Sequence, residues 1–273
     1  MALGGAVAAV GTGVAIASSY LVRNDESQHI VVDRVQIPVK NLGPELEGFT
    51  IAVLADFHLY PFTQLDLIYK AVEIANSLKS NLTVMLGDFV WHDVDAIWDL
   101  APVLAGLNAQ HGVYSIVGNH DLWTDVKIVT AGLTKSGLSI LKNEGFPITV
   151  GNSSFYLAGL DDGWSGNPNL NAAMSNWSEG MPTILLLHEP DLADTYSKDE
   201  RIVLQLSGHS HAGQIRFPRT GALILPYLGR KYDMGLFNVN NMWVYTNRGI
   251  GVTNEPVRYN CPPEITEITL VRA

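Results

Sequence analysis

Short apolar runs alternate with segments of helical periodicity along most of the chain. Residues 50–55 form a continuous apolar run typical of a buried strand, and residues 65–78 place Leu67, Ala71 and Leu78 on one stripe of a helix. The order strand, loop, helix then recurs, which indicates right-handed crossover units between parallel strands. In such folds ligands bind beyond the carboxyl ends of the strands.

The same patterns predict the remaining elements. Strands are predicted at residues 30–39, 82–86, 112–117, 181–187, 202–206 and 263–271, hairpins at 147–158 and 235–245, and a second helix at 94–107. Strands this uniformly apolar must be covered on both faces. We therefore expect an α/β protein, a four-layer αββα sandwich of two mixed β-sheets flanked by helices.

Composition narrows the possible functions. The 273 residues, 47% of them hydrophobic, are enough for one large core, and no linker-like stretch divides residues 30–273, so we expect a single domain there. The net charge is −10, and Lys and Arg are scattered, which makes nucleic acid an unfavourable partner. An anionic substrate would instead be attracted by bound metal. The lone Cys261 excludes an internal disulfide and a paired-cysteine zinc site.

Residues 1–22 contain no charged side chain and have about the length of a bilayer-spanning helix. Arg23 ends this apolar run, and the segment Ala15-Ile16-Ala17 offers a small-residue cleavage pattern. Three interpretations stay open: a membrane anchor, an export signal without a basic start, or an apolar helix packed on the domain. We expect a membrane-associated or exported protein rather than a cytoplasmic one.

Five short polar motifs follow the apolar runs. They are Asp56-Phe57-His58, Gly87-Asp88, Gly118-Asn119-His120-Asp121, His188 and Gly208-His209-Ser210-His211. Their carboxylate, amide and imidazole groups suit hard or borderline divalent ions, and no thiolate is among them. The motifs therefore predict a two-metal phosphoesterase site.

The spacing within the motifs suggests how the ligands are shared. In two-metal hydrolysis one carboxylate lies between the ions, and Asp88 is predicted to bridge because the glycine before it allows a close approach of the backbone. A strand-ending turn is the alternative for this motif. Asp56 and His58 lie two residues apart, so in an extended backbone both would face one ion, and the same reasoning applies to His209 and His211.

The remaining candidate residues are predicted to bind metal, to act on the substrate or to position another side chain. Asn119 offers an amide oxygen to a metal, while His120 is predicted to act as general acid or to stabilise a phosphoryl oxygen. Asp121 is predicted to orient the His120 imidazole, and His188 completes the ligand set. A Gly-Asn turn is the structural alternative. Arg216 is a candidate for contact with substrate phosphate, with a surface or strand-edge role as its alternative.

In this order the motifs resemble the calcineurin-like metallophosphoesterase superfamily, whose pattern runs Asp-x-His, Gly-Asp, Gly-Asn-His-Asp or Glu, His, then Gly-His-x-His. The match spans about residues 50–211. Residues 206–214 and 258–265 look like a branch of membrane-associated or exported phosphodiesterases similar to UDP-2,3-diacylglucosamine pyrophosphohydrolases. The resemblance implies the metallo-dependent phosphatase fold.

The resemblance also implies two divalent metal ions, and the ligand types permit Mn²⁺, Fe²⁺ or Zn²⁺. One ion would be held by Asp56, His58, Asp88 and His211, and the other by Asp88, Asn119, His188 and His209. The implied reaction is attack of a metal-bridging hydroxide on a phosphodiester or pyrophosphate substrate, lipid-linked in this branch. A lipid pyrophosphohydrolase specifically, and a non-catalytic scaffold on the same fold, are the alternatives; protein partners are not predicted.

Overall fold

The computed structural model describes residues 21–273. The prediction for residues 1–22 lies outside this range, apart from its last two residues. Across residues 21–273 no helix combines the length and the apolar character needed to span a bilayer.

Two six-stranded mixed sheets carry most of the described chain. The first contains, in spatial order, β1 (Val31–Val39), β14 (Glu264–Arg272), β2 (Thr50–Leu54), β3 (Leu82–Met85), β4 (Val113–Ser115) and β5 (Ser139–Ile140). The second contains β12 (Gly235–Val239), β13 (Met242–Thr246), β9 (Ile202–Ser207), β8 (Thr183–Leu186), β7 (Ser153–Gly159) and β6 (Glu144–Val150). A small separate hairpin pairs β10 (Arg216–Phe217) with β11 (Gly221–Ala222).

The helices connect and cover the strands. They are α1 (Leu65–Leu78), α2 (Ile97–Leu104), α3 (Asn119–Thr124), α4 (Val126–Lys135), α5 (Leu170–Ala173) and α6 (Ala193–Tyr196), with 3₁₀ turns at Pro44–Leu46, Val94–Ala96, Pro190–Leu192 and His211–Gly213. The bounds of α1 agree with the sequence prediction, whereas the second predicted helix is divided. Asp93 caps the 3₁₀ turn through the N–H of Asp95, and α2 begins only after that turn.

Three apolar clusters separate four layers. Alternate residues of one strand face different clusters: Val84 of β3 lies in the cluster between the sheets, whereas Met85 packs with α1 and α2. The third cluster, which includes Leu185 of β8 and Ala193 of α6, covers the outer face of the second sheet. Both faces of each sheet are thus buried, and the predicted αββα sandwich is confirmed.

The topology places five loops at one edge of the sandwich. In the first sheet β2, β3 and β4 are parallel neighbours, and in the second sheet β8 and β9 are parallel neighbours. Each of the five polar motifs follows the carboxyl end of one of these strands. The motifs therefore meet where the carboxyl ends of the two sheets adjoin.

Candidate active site

Six of the predicted ligands form two adjoining groups. Asp56, His58 and His211 form one group, and Asp88, His188 and His209 form the other. Within each group one nitrogen or carboxylate oxygen per residue lies within 4.8 Å of the others, and all six side chains are buried.

The Asp88 carboxylate connects the two groups. Its Oδ2 atom lies 3.4 Å from His58 Nε2 in the first group and 3.1 Å from His188 Nε2 in the second. Its Oδ1 atom accepts the backbone N–H of His120 at 2.9 Å, which fixes the carboxylate plane. This is the placement that a bridging carboxylate requires.

We call the six residues of the two groups, together with Asn119, the donor cluster. Several of its buried nitrogen and oxygen atoms have no hydrogen-bond partner among the described residues. They include Asn119 Oδ1, His188 Nε2 and His209 Nδ1, although His188 Nε2 lies close to Asp88 without hydrogen-bond geometry. The other ring nitrogens are engaged: His188 Nδ1 lies 2.6 Å from the Leu86 carbonyl oxygen, and His209 Nε2 lies 2.7 Å from that of Tyr227. These nitrogens donate, so in a neutral ring the opposite nitrogen carries the lone pair that faces the site. Burial of unpaired acceptors is costly, and divalent cations would satisfy them. The donor set therefore fits two such ions.

Five residues of the donor cluster adopt left-handed backbone conformations. The φ angles are 52° at Asp56, 42° at His58, 54° at Asp88, 70° at His209 and 49° at His211. Non-glycine residues rarely adopt this region, and such strain is concentrated at functional sites. The assumption of an extended backbone in the Asp-x-His and His-x-His motifs is therefore wrong. Tight turns bring Asp56 and His58 to one group, and they divide His209 and His211 between the two groups.

Hydrogen bonds between loops hold these turns in place. The backbone N–H groups of Phe57 and His58 both donate to the Asp88 carbonyl oxygen. The backbone N–H of His209 donates to the Asp56 carboxylate, at 3.0 and 3.1 Å from its two oxygens. The loop that follows β2 is thus bonded to the loops that follow β3 and β9.

Protons and metal cations compete for the buried side chains of the donor cluster. Burial raises the pKa of Asp56 to about 7, although His188 opposes this shift. Burial alone would lower the pKa of His188, but the carboxylates of Asp88 and Asp56 hold it well above its usual value. Burial lowers the pKa of His209 to about 3, which keeps its ring neutral. A divalent cation must therefore displace protons from this cluster.

Asp121 supports the Asp88 loop. Its Oδ2 atom accepts the N–H groups of Gly118 and Asp88, each at 3.0 Å, and its Oδ1 atom accepts that of Phe89 at 2.9 Å. Within residues 21–273 no hydrogen bond joins it to the His120 ring, which it was predicted to orient. Because Asp121 lies in the first turn of α3, its carboxylate points back toward the loop before that helix. Burial, together with the Asp88 charge, raises its pKa to about 7.

The His120 ring stands among aromatic side chains at the edge of the donor cluster. Its centroid lies 4.2 Å from that of Trp91, 4.9 Å from that of His58 and 4.7 Å from that of Trp123. Burial lowers the pKa of His120, and Asp88 opposes this shift. A largely neutral imidazole is therefore available for hydrogen bonding in the cavity.

Arg216 makes contacts that direct it away from this site. Its Nη1 atom donates to the Ala212 carbonyl oxygen and pairs with Asp233, both at 2.7 Å, because the β10–β11 hairpin aims the guanidinium at these groups. The residue does not line the cavity next to the donor cluster. Nothing in these contacts supports its predicted grip on substrate phosphate.

A cavity of about 630 Å³ opens above the donor cluster. Asp88, Asn119, His120, His209 and His211 line its inner end. An apolar rim lines its outer part and comprises Trp123, Trp164, Leu223, Ile224 and Pro226, whereas the buried Trp91 lies at the inner end beside His120. Within the described chain no Lys or Arg lines the cavity. Sequence reasoning did not find Trp123, whose only signal was its position just after the third motif.

The fold, the two adjoining donor groups and the cavity above them define a dinuclear metal-dependent phosphoesterase. The chain belongs to the calcineurin-like phosphoesterase family, whose model matches residues 49–213. It is an enzyme that hydrolyses phosphoester bonds at a two-metal site. The scaffold alternative is thereby set aside.

Individual relatives agree with this assignment. The chain is 34% identical over 231 residues to the uncharacterized metallophosphoesterase YkuE of Bacillus subtilis, covering 82% of this chain and 79% of the relative. It is 31% identical over 227 residues to the phosphodiesterase YaeI of Escherichia coli, covering 82% of each. A transmembrane protein with metallophosphoesterase domain of Bos taurus is 32% identical over 267 residues, which cover 90% of this chain and 58% of the relative.

Proposed function

We propose that Asp88 is shared between two cation sites of this phosphoesterase. The first site comprises Asp56, His58, Asp88 and His211, and the second comprises Asp88, Asn119, His188 and His209. The observation that carries the proposal is the Asp88 Oδ2 atom, which lies within 3.4 Å of a histidine nitrogen in each group. The imidazole and oxygen donors suit Mn²⁺, Fe²⁺ or Zn²⁺. When bound, the cations supply Lewis-acid charge that activates water and neutralises phosphoryl oxygens.

His120 acts on the substrate and not as a ligand in this proposal. Its ring lines the cavity, and its backbone N–H is used to fix Asp88. Because burial lowers its pKa, the neutral ring donates a hydrogen bond to a phosphoryl or leaving-group oxygen in the transition state. Asp121 is a positioning residue that acts through the Asp88 loop.

The substrate is proposed to be a phosphodiester or pyrophosphate that carries an apolar, lipid-like group. The donor cluster receives the phosphate, while Trp123 and Trp164 of the apolar rim offer a surface to the rest of the molecule. A nucleic-acid strand would need cationic side chains along its backbone, and none lines the cavity in the described part of the chain.

Metal-dependent hydrolysis of bis(p-nitrophenyl) phosphate tests the proposed ligands. Asp88→Asn should lose both cations and slow hydrolysis by about 10³-fold or more, because the shared charge is removed. Asp199→Asn is the matched control, since Asp199 pairs with Arg201 on the surface. Hydrolysis by Asp88→Asn at the rate of the control would refute the shared carboxylate.

The substrate class is tested with three phosphodiesters in parallel. We expect a long-chain alkyl p-nitrophenyl diester to be cleaved with a higher kcat/KM than bis(p-nitrophenyl) phosphate, and single-stranded DNA to be cleaved least. Preference for DNA would contradict the proposed substrate class and would leave the metal site standing.

A further inference from the structure

Exposed aliphatic side chains surround the mouth of the cavity. Leu223 and Ile224 follow β11 and are 63% and 80% exposed. Leu21 lines the same cavity, and the neighbouring Val22 is 65% exposed. We call these four residues the mouth patch. Contiguous exposed aliphatic residues around a concave site mark an interaction surface.

Both parts of the mouth patch are fixed to one segment, residues 258–261. On the N-terminal side, Asp25 accepts the N–H of Arg258 and Glu26 accepts the N–H of Cys261, each at 2.9 Å. On the hairpin side, the N–H of Arg216 donates to the Tyr259 carbonyl oxygen at 2.9 Å. The N-terminal end of the described chain and the base of the β10–β11 hairpin are therefore held on the same face.

The sequence that precedes the patch indicates what this face meets. The twenty residues before Leu21 contain no charged side chain, and a run of that length matches the hydrocarbon thickness of a bilayer. Two exposed arginines lie nearby. Arg23 follows the run, and Arg219 lies in the turn of the β10–β11 hairpin. Cationic side chains interact with lipid headgroups, and neighbouring exposed aliphatic side chains can enter the acyl region below them.

We propose that the mouth patch docks on the surface of a lipid bilayer. Leu223 and Ile224 enter the acyl region, while Arg219 stays at the headgroup level. The cavity then opens toward the bilayer, so a molecule with its apolar part in the membrane presents its phosphate to the donor cluster without crossing water. The docking surface stands on exposure and chain geometry, so it is separable from the proposed metal ligands.

Fluorophore depth measurements on the full-length protein test the docking surface. Ile224→Cys is labelled with an environment-sensitive dye, and Tyr69→Cys, on α1 and 57% exposed, is the matched control. The native Cys261 is fully buried and does not compete for the dye. The circular dichroism spectrum of each labelled protein checks that the fold is intact. The probes are vesicles of phosphatidylcholine and phosphatidylglycerol with a nitroxide quencher on the acyl chain.

We expect the label at position 224 to shift its emission to shorter wavelength and to lose most of its intensity to the quencher. The label at position 69 should change little. Equal quenching at both positions, or no association with vesicles, would overturn the proposal. Shielding of position 224 without vesicles would also overturn it: concentration-dependent shielding would identify a second copy of the chain as the occupant, and concentration-independent shielding would identify its own N-terminal segment.

Discussion

The donor cluster and the apolar rim line opposite ends of one cavity but are built differently. The donor cluster consists of buried side chains, five of them on left-handed turns, and backbone hydrogen bonds such as that from Phe57 to Asp88 join these turns across loops. The apolar rim consists of larger and more exposed side chains, and Trp123 on α3 and Trp164 on the loop after β7 are 51% and 38% exposed. The contrast separates two tasks, because the cluster is organised for chemistry and the rim for contact with the substrate.

This division predicts that mutations in the cluster change rate or metal affinity, whereas mutations in the rim change substrate preference.

His120→Asn should keep both cations and lower kcat by about 10²- to 10⁴-fold, the usual contribution of a positioned proton donor or acceptor. Steady-state kinetics and metal analysis on the same preparation measure the two quantities. The matched control is His29→Asn, an exposed histidine outside the cavity. Loss of metal together with rate would instead make His120 a ligand.

Asp121→Asn should weaken metal binding by about 10- to 100-fold, as supporting groups behind ligands commonly do. The substitution places an amide N–H against backbone N–H groups that now donate to the carboxylate. Titration with Mn²⁺ measures the change. Asp161→Asn, which makes the same replacement in a carboxylate that accepts two backbone N–H groups outside the cluster, is the control. An unchanged affinity would mean that the Asp88 loop holds its shape unaided.

Metal affinity should fall more steeply once the pH drops below about 7, because the proton on Asp56 adds to the one that His188 holds. Burial raises the pKa of Asp56 to about 7, so below that pH the carboxyl holds a proton that a cation must displace. One displaced proton weakens binding about tenfold per pH unit, and above pH 7 this group adds no dependence. Calorimetric titration in buffers of different ionisation enthalpy counts the protons. A flat affinity across neutral pH would contradict the protonated state of Asp56.

Trp164→Ala should lower kcat/KM for a long-chain diester up to about tenfold more than for bis(p-nitrophenyl) phosphate, because apolar contact area is lost. The Trp164 ring packs edge-on against Trp123 and Tyr227. Trp177→Ala is the matched control, since Trp177 packs against Arg201 elsewhere. Equal losses for both substrates would assign Trp164 to the donor cluster.

Sequence reasoning reached the layers and the donor cluster because both follow from local patterns. Uniformly apolar strands such as residues 82–86 require cover on both faces, and polar motifs after parallel strands must meet at one edge. The bounds of α1 and the two hairpin turns could be predicted for the same reason. Helical periodicity and Gly-Asn or Asn-Asn pairs are local signals.

Tertiary contacts account for what sequence reasoning missed. The left-handed backbone at Asp56 and His58 depends on hydrogen bonds to the loop after β3, which no local pattern encodes. The position of Asp121 behind Asp88, and the ion pair that withdraws Arg216, arise from residues remote in the chain. Roles assigned from residue type alone were therefore the least accurate.

The central claim is that two cations are held side by side with Asp88 between them. Anomalous diffraction from crystals grown with Mn²⁺ tests this claim directly. We predict two peaks about 3.5–4 Å apart, one among Asp56, His58 and His211 and the other among Asn119, His188 and His209. A single peak, or peaks outside these two groups, would contradict the account.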